Sequence, residues 1–385
     1  AAREQKLPIS EITTKYTQIY NSDMETLGVN KPDHQPKATE YIDEMVELIQ
    51  TLINKGHAYE NDGHVLFHVL SYKQYGSLSK RNRDEQIAGS RVEVAPYKKD
   101  AADFVLWKPS SDDQPGWDSP WGFGRPGWHT ECSAMSEKTL GLPFDIHGGG
   151  RDLVFPHHEN EIAQSCCASA SIDDPTSYAK YWMHNGFVTV DGEKMSKSLN
   201  NITLVKELTD NYQGEVLRLA LLSSHYRQGL DWNEKIIHQA EKLLNKLYKI
   251  LQDSSELLKN DNTSVDKEIL SAMSDDLNTP KAVSVLNSLA KEYSLLTGSE
   301  KTNCINKIKS SGQLLGILQQ DPEAWFLKDT SHMDVVLIER LMAQRNKAKS
   351  LKNYSEADSI RQQLITMGVE IFDSKDGSEW KPVSS

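Results

Sequence analysis

Between Trp128 and Ser198 lie the side chains best suited to chemistry: Cys132, then His157 and Glu161, then Lys194 and Lys197. His157 and Glu161 are four residues apart, so on a helix they share one face. With Cys132 they offer imidazole, carboxylate and thiolate, a donor set that suits zinc. Taken alone, such a His/Glu pair more often makes a surface hydrogen bond, and a lone cysteine is more often a small buried residue. His158 points to another side of the helix and is not expected to bind the same ion. Gly148, Gly149 and Gly150 follow His147 and read as a turn whose bare backbone N–H groups would admit a phosphate or an adenine. Asp152 beyond them suits a ribose hydroxyl, or a helix cap. Lys194 and Lys197, alternating with Met195, Ser196 and Ser198, suit electrostatic stabilisation of a polyphosphate. Together these features point to metal-assisted handling of a nucleotide.

Several elements must hold these groups. The spacing predicts a helix over 129–139 carrying Cys132, a strand over 144–147 ending in the glycine turn, and a helix starting near Pro156. Further strand follows over 181–190, closed by a turn at Asp191-Gly192, with Lys194–Ser198 as the loop after it. Strand, helix and strand in this order imply a parallel α/β sheet. Upstream, helices are expected over 10–27 and 38–55, a hairpin over 57–70 turning at Asp62-Gly63, loop over 77–103 and a buried strand at 104–107. Beyond Asn201 the pattern becomes helical: a long amphipathic helix over 232–258, then a bundle. The last stretch, from 329, reads as two helices and a hairpin turning at Asp376-Gly377.

The chain has 385 residues and a net charge of −12, which argues for more than one domain and against a non-specific nucleic-acid coat. No apolar run approaches the roughly 20 residues of a membrane span. The four cysteines, with Cys166 and Cys167 adjacent, form no disulfide framework. A cytoplasmic protein is the default reading.

Three blocks, GWHTECSAM (127–135), FDIHGGGRDLVFPHHENEIAQ (144–164) and KMSKS (194–198), together resemble cysteinyl-tRNA synthetase, a class I aminoacyl-tRNA synthetase of bacterial type. The resemblance extends to FVLWK (104–108), MSDDLNTPKA (273–282) and the C-terminal tail. It implies a Rossmann-type α/β catalytic domain over 1–200, a stem-contacting helical bundle over 201–328 and a small α+β anticodon-binding domain over 329–385. It implies cysteine activation with ATP and Mg²⁺, then transfer of cysteine to the 3′ end of tRNA(Cys). Cys132, His157 and Glu161 match zinc ligands, and the family's zinc binds the substrate thiolate. Trp128 and His147 match residues near the amino acid. Gly149, Gly150 and Asp152 match the ATP-side turn, and Lys197 the signature lysine that contacts ATP, with Lys194 beside it. The family's fourth zinc ligand and its His-x-Gly-His-type motif have no counterpart, so an upstream segment is expected ahead of Ala1. A monomer is expected.

In the tail, Arg345, Lys349 and Lys352 read as a basic stripe on one helix face. Trp380 could stack an unpaired base, with Asp358 and Asp373 accepting bonds from base amino groups. Three rival readings stand beside this one. A zinc hydrolase would use the open metal position. A cysteine ligase of mycothiol synthesis would have no use for the tail, and a non-catalytic tRNA-binding fragment would lack activation altogether.

Overall fold

The computed structural model describes the chain except residues 1–4, 83, 86–94, 112, 170–172, 197–198, 200, 260–263, 328–334, 368, 374–377 and 383–385. It forms two compact units, one of residues 1–211 and 224–234, the other of residues 212–223 and 235–385.

The first unit opens with α1 (Ile9–Thr26) and α2 (Ile42–Asn54). Met45, Leu48, Ile49 and Leu52 recur at helical spacing on α2 and are all buried. Gly56 takes φ +81 just past its end, a left-handed position that favours glycine. Strands β1 (Ala58–Asn61), β2 (His64–Phe67), β3 (Phe104–Pro109) and β4 (Gly124–Pro126) make an antiparallel sheet in chain order. Asp62 and Gly63 make the β1–β2 turn, both with positive φ, as the Asp-Gly pair predicts.

The site-bearing elements follow: α3 (Trp128–Leu140), β5 (Phe144–Gly150), α4 (His157–Ala168) and β6 (Ala179–Asn185). β5 and β6 pair in parallel, Phe144 opposite Ala179 through Gly150 opposite Asn185, with α4 in the crossover. The parallel α/β expectation holds for this unit. Residues His157 through Cys167 are all buried, so α4 has protein around its whole circumference. Ile162, Cys166, Met45, Phe67, Leu106, Trp107 and Tyr178 share one core that joins α2, the antiparallel sheet and α4. Beyond β6, β7 (Val188–Val190) pairs parallel to β9 (Leu230–Trp232) and antiparallel to β8 (Glu193–Lys194), with α5 (Val205–Thr209) between.

One expectation is corrected here. The three glycines do not form a turn. Strand β5 runs through Gly150, and none of Gly148, Gly149 or Gly150 has positive φ. Their smallness serves close approach instead: a Cβ on Gly149 would sit 2.7 Å from His158 Cε1 and 3.1 Å from Leu153 Cδ1.

The second unit is helical: α6 (Gly214–Leu222), α7 (Glu234–Asp253), α8 (Lys267–Ser274), α9 (Thr279–Glu292), α10 (Gly298–Leu314) and α11 (Pro322–Leu327). Asn278 caps α9, accepting from the Lys281 N–H at 3.2 Å, with Pro280 in the first turn. The Glu215 carboxylate is buried but satisfied by Tyr248 Oη and by the N–H groups of Leu318 and Gln319. In the tail α12 (Val335–Ser350), α13 (Tyr354–Thr366) and the hairpin β10 (Val369–Asp373) and β11 (Ser378–Pro382) enclose Ile338, Met342, Ile360, Leu364 and Val369. The expected Asp376-Gly377 turn lies outside the described residues.

The basic stripe is also corrected. Arg345 is buried and bonds the Asp373 carboxylate through both terminal nitrogens, at 2.9 and 2.7 Å. Lys352 falls beyond the end of α12 with φ +56, off the helix face.

Candidate metal and amino-acid site

Helices α3 and α4 lie side by side and bring Cys132, His157 and Glu161 together. Their ligand atoms are all within 4.8 Å of one another. The i, i+4 spacing on α4 places His157 Nε2 2.8 Å from Glu161 Oε1. This approach lacks hydrogen-bond alignment: Oε1 is buried, and no described group donates to it. A buried carboxylate oxygen with no donor is costly unless a cation completes it. The other face of the His157 ring is engaged, its Nδ1 lying 2.7 Å from Nδ1 of His129. That contact orients the ring and leaves Nε2 to face Oε1 and the thiol, the usual arrangement around a metal-bound histidine. The donor set therefore fits zinc.

Glu161 Oε2 is satisfied by the Tyr178 hydroxyl, which donates at 3.2 Å, with His147 Nε2 3.1 Å away. Burial pushes the Glu161 carboxyl up, but the imidazoles of His147 and His157 outweigh it and hold the group down at about 2. The Cys132 thiol goes the other way. Burial first, then the Glu161 carboxylate, pushes it up to about 12, so without a cation it is a neutral thiol. Burial pushes His129 down to about 4 and His158 to about 3, so both are neutral at ordinary pH.

A second cluster, His147, His158 and Glu161, shares the same carboxylate. Its groups are already engaged, since His158 Nδ1 lies 2.8 Å from His184 Nε2 outside the cluster and His147 Nε2 lies 3.1 Å from Oε2. The Cys132 set, with its orphaned oxygen, is the better metal site, and His158 stands outside it as its place on the helix predicts.

Trp128 and His147 flank this site. The Trp128 ring is 4.1 Å from that of His157 and remains 57% exposed, so one face is open. His147 sits 4.8 Å from the Trp182 ring and 4.7 Å, edge-on, from His158. Gly149 and Gly150 close β5, and the Asp152 carboxylate folds back against Gly150. Gly149→Ala is expected to push His158 off its place and to destabilise the fold by about 1–3 kcal/mol, as overpacking does. A denaturant midpoint equal to the parent's would refute this.

Lys194 ends β8 and is exposed. Asn201 pins the loop, donating to the Lys194 carbonyl at 3.2 Å and accepting from the Ser196 N–H at 2.8 Å. Lys197 lies outside the described residues. In the tail, Lys349 Nζ is 3.0 Å from Asp373 Oδ2, so Asp373 takes both cations. Asp358 is exposed on α13, and Trp380 is half-buried against the small core.

Sequence reasoning missed His129, Tyr178 and His184. His129 had a usable signal, because it stands three residues before Cys132 and so shares its helix face. Tyr178 and His184 had none, since only the fold of β6 brings them near α4.

The family described as tRNA synthetases class I (C) catalytic domain matches residues 1–242, and the DALR domain matches residues 268–319. The cysteine–tRNA ligase of Parvibaculum lavamentivorans is 53% identical over 388 residues, covering 100% of this chain and 82% of its own length. The chain belongs to the cysteine–tRNA ligase family. The Maricaulis maris cysteine–tRNA ligase agrees, at 49% identity over 99% of this chain and 82% of its own length. Among solved structures, Mycobacterium tuberculosis methionyl-tRNA synthetase in complex with methionyl-adenylate aligns with a TM-score of 0.55 at 15% identity, over 82% of this chain and 78% of that one. That likeness supports the class I, Rossmann-like α/β fold. The DALR match puts a helical domain after it, as the cysteine–tRNA ligase resemblance implies. No helix among the described residues is long and apolar enough to cross a membrane.

Proposed function

We propose that Cys132, His157 and Glu161 bind one zinc ion and that this site selects cysteine for ligation to tRNA(Cys). The observation that carries the reading is the buried, donor-less Glu161 Oε1 facing His157 Nε2 and the Cys132 thiol. Bound there, zinc would take the substrate thiolate as a further soft ligand and discriminate against a serine hydroxyl by chemistry rather than by shape.

The remaining steps belong to the chain's own groups. Trp128 offers an open ring face over the site, and His147, held by Glu161, orients the amino acid. Gly149 and Gly150 let the nucleotide approach the backbone of β5, and Asp152 binds its ribose. The cysteine carboxylate oxygen attacks the α-phosphorus of ATP in line. The bond to the bridging oxygen breaks and pyrophosphate leaves, with Mg²⁺ accompanying the phosphates. Lys194 and Lys197 offset the charge that develops on them. The 3′-terminal ribose hydroxyl then takes the acyl group and AMP leaves. The tail from 329 is assigned to the anticodon, through Lys349, Asp358 and Trp380. Asp373 contributes indirectly, by holding Arg345 and Lys349.

Cysteine-dependent ATP–pyrophosphate exchange tests this, run on the chain with the upstream segment that the family resemblance implies, beside serine and with the zinc content measured. Exchange with cysteine alone, at one zinc per chain, is expected; equal exchange with both amino acids would refute zinc selection. Lys197→Ala is expected to slow exchange by at least about tenfold with the cysteine KM little changed. An unaltered rate would remove Lys197 from the mechanism.

A further inference from the structure

Helix α7 carries two apolar seams side by side. Ile237, Leu244 and Leu251 recur every seven residues and are buried in the bundle. Ile236, Leu243 and Ile250 keep the same period one position earlier and are only half-buried. This second seam lies in a groove of the helical unit whose opposite wall is α9, with Val283, Asn287 and Lys291 one turn apart. The groove has two adjoining parts, about 490 and 630 Å³, that share Lys246 and Lys291. Lysines rim it. Lys242 and Lys249 each stand one residue before an apolar seam position. Burial, then the nearby Lys291 charge, holds the Lys246 ammonium below its usual value. The carboxylate in the groove, Asp253, is taken by Lys249 at 2.8 Å. Lys242, Lys246 and Lys291 have no ion-pair or hydrogen-bond partner among the described residues.

Half-buried aliphatic side chains at a period of seven, flanked by lysines, are what one helix presents to another. The aliphatic stripe packs, and the flanking charges choose an acidic partner. About 21 Å of helix separates Ile236 from Ile250 at about 1.5 Å per residue, enough to seat a partner helix of about four turns. RNA fits the groove less well. Bases stack on exposed aromatic faces. The ring in this groove, Tyr293, is buried, with its hydroxyl bonded to Ser254 and Lys301 over its face at 4.8 Å. Nor does the lysine cluster follow from composition, because the chain's net charge is −12. We propose that the groove between α7 and α9 docks an acidic amphipathic helix of a protein partner, its aliphatic stripe on Ile236, Leu243 and Ile250 and its carboxylates against Lys242, Lys246 and Lys291. This docking is separate from the ligation reading above, in which none of these residues takes part.

The probe is a labelled synthetic peptide of four heptads, with Leu at a and d and Glu at e and g, whose like charges keep it from pairing with itself. It is titrated against the full chain by fluorescence anisotropy, beside a twin with Lys in place of Glu. The acidic peptide is expected to bind at least about tenfold more tightly than its twin, and added salt should narrow the gap. Leu243→Asp should weaken its binding by about tenfold or more, and so should Lys242→Glu, Lys246→Glu and Lys291→Glu combined. An unchanged thermal midpoint shows that the lysine variant is folded; Lys242→Glu alone, at an exposed position, gives the same reading if the combined change lowers it. Equal binding of the two peptides, or binding indifferent to these substitutions, would overturn the inference. In cells, a photo-reactive amino acid in place of Gln239, which lines the groove, should cross-link to an acidic stretch of another protein with apolar residues at helical spacing, located by sequencing the joined peptides. Cross-links to tRNA, to a second copy of this chain or to nothing would overturn it. So would a fall of about tenfold in kcat/KM for tRNA charging in the lysine variant, which would assign the groove to RNA.

Discussion

Cys132→Ser is expected to leave the chain without zinc and to slow cysteine-dependent ATP–pyrophosphate exchange by at least about 10²-fold, since even the supporting groups around a metal cost 10- to 100-fold when lost. The change is one atom, and a serine hydroxyl fits the space of the thiol. What it removes is the soft donor. A hydroxyl beside the Glu161 carboxylate stays protonated and is a poor zinc ligand. Two metal donors then remain, His157 and Glu161, too few to hold the ion. Cys304→Ser is the matching control. Cys304 lies in the helical unit, where its thiol faces the Leu289 carbonyl, so zinc content and exchange should stay at parent values. Stoichiometric zinc in Cys132→Ser would end the assignment.

Asp373→Ala should loosen the tail by about 2 kcal/mol. Removing one partner of a buried pair costs roughly 3–5 kcal/mol, and solvent access to the carboxylate lowers that figure. Arg345 is 4% exposed while the Asp373 side chain is 42% exposed, so the stranded charge is the arginine. Amide exchange across α12 and α13 should speed up by about 30-fold, and no change would refute the role. The pH dependence has a definite sign. The Arg345 guanidinium, then Ser378, hold the Asp373 carboxyl far below the usual carboxylate range. A depressed folded value means that the contribution is fully present above the unfolded value of about 3.9 and is lost as pH falls toward the folded one. Parent and variant should therefore differ at neutral pH and converge only in strong acid. Loss of tRNA charging in Asp373→Ala would then report a loosened tail, and Trp380→Ala or Asp358→Ala is the cleaner probe of base contact.

The sequence made the catalytic core legible where chemistry and periodicity coincide. His157 and Glu161 had to share a face once α4 was a helix, and Cys132 had to sit on the helix before it. The parallel β5–β6 pair followed from strand, helix and strand in order. The glycine run misled because small size and left-handed backbone produce the same letters. Only the neighbour that a Cβ would strike, His158 for Gly149, tells them apart. Arg345 misled for a related reason. A charge at i, i+4 spacing looks solvated until a carboxylate from a distant hairpin arrives to bury it. Tyr178, His184 and the hold of the Glu159 carboxylate on the Gly76 and Ser79 N–H groups depend on contacts between segments far apart in the chain, which no local pattern announces.

The complete burial of α4 carries a consequence for anyone who would alter amino-acid choice. Along His157–Glu161 every position already has a neighbour: the proposed metal site, His184, the Gly76–Ser79 backbone, Tyr75, and the proposed metal site again. The helix has no idle side on which a change could be absorbed, so a substitution meant to reshape one neighbour disturbs the next. Redesign has more freedom from outside it, at Trp128, whose ring keeps an open face toward the same space.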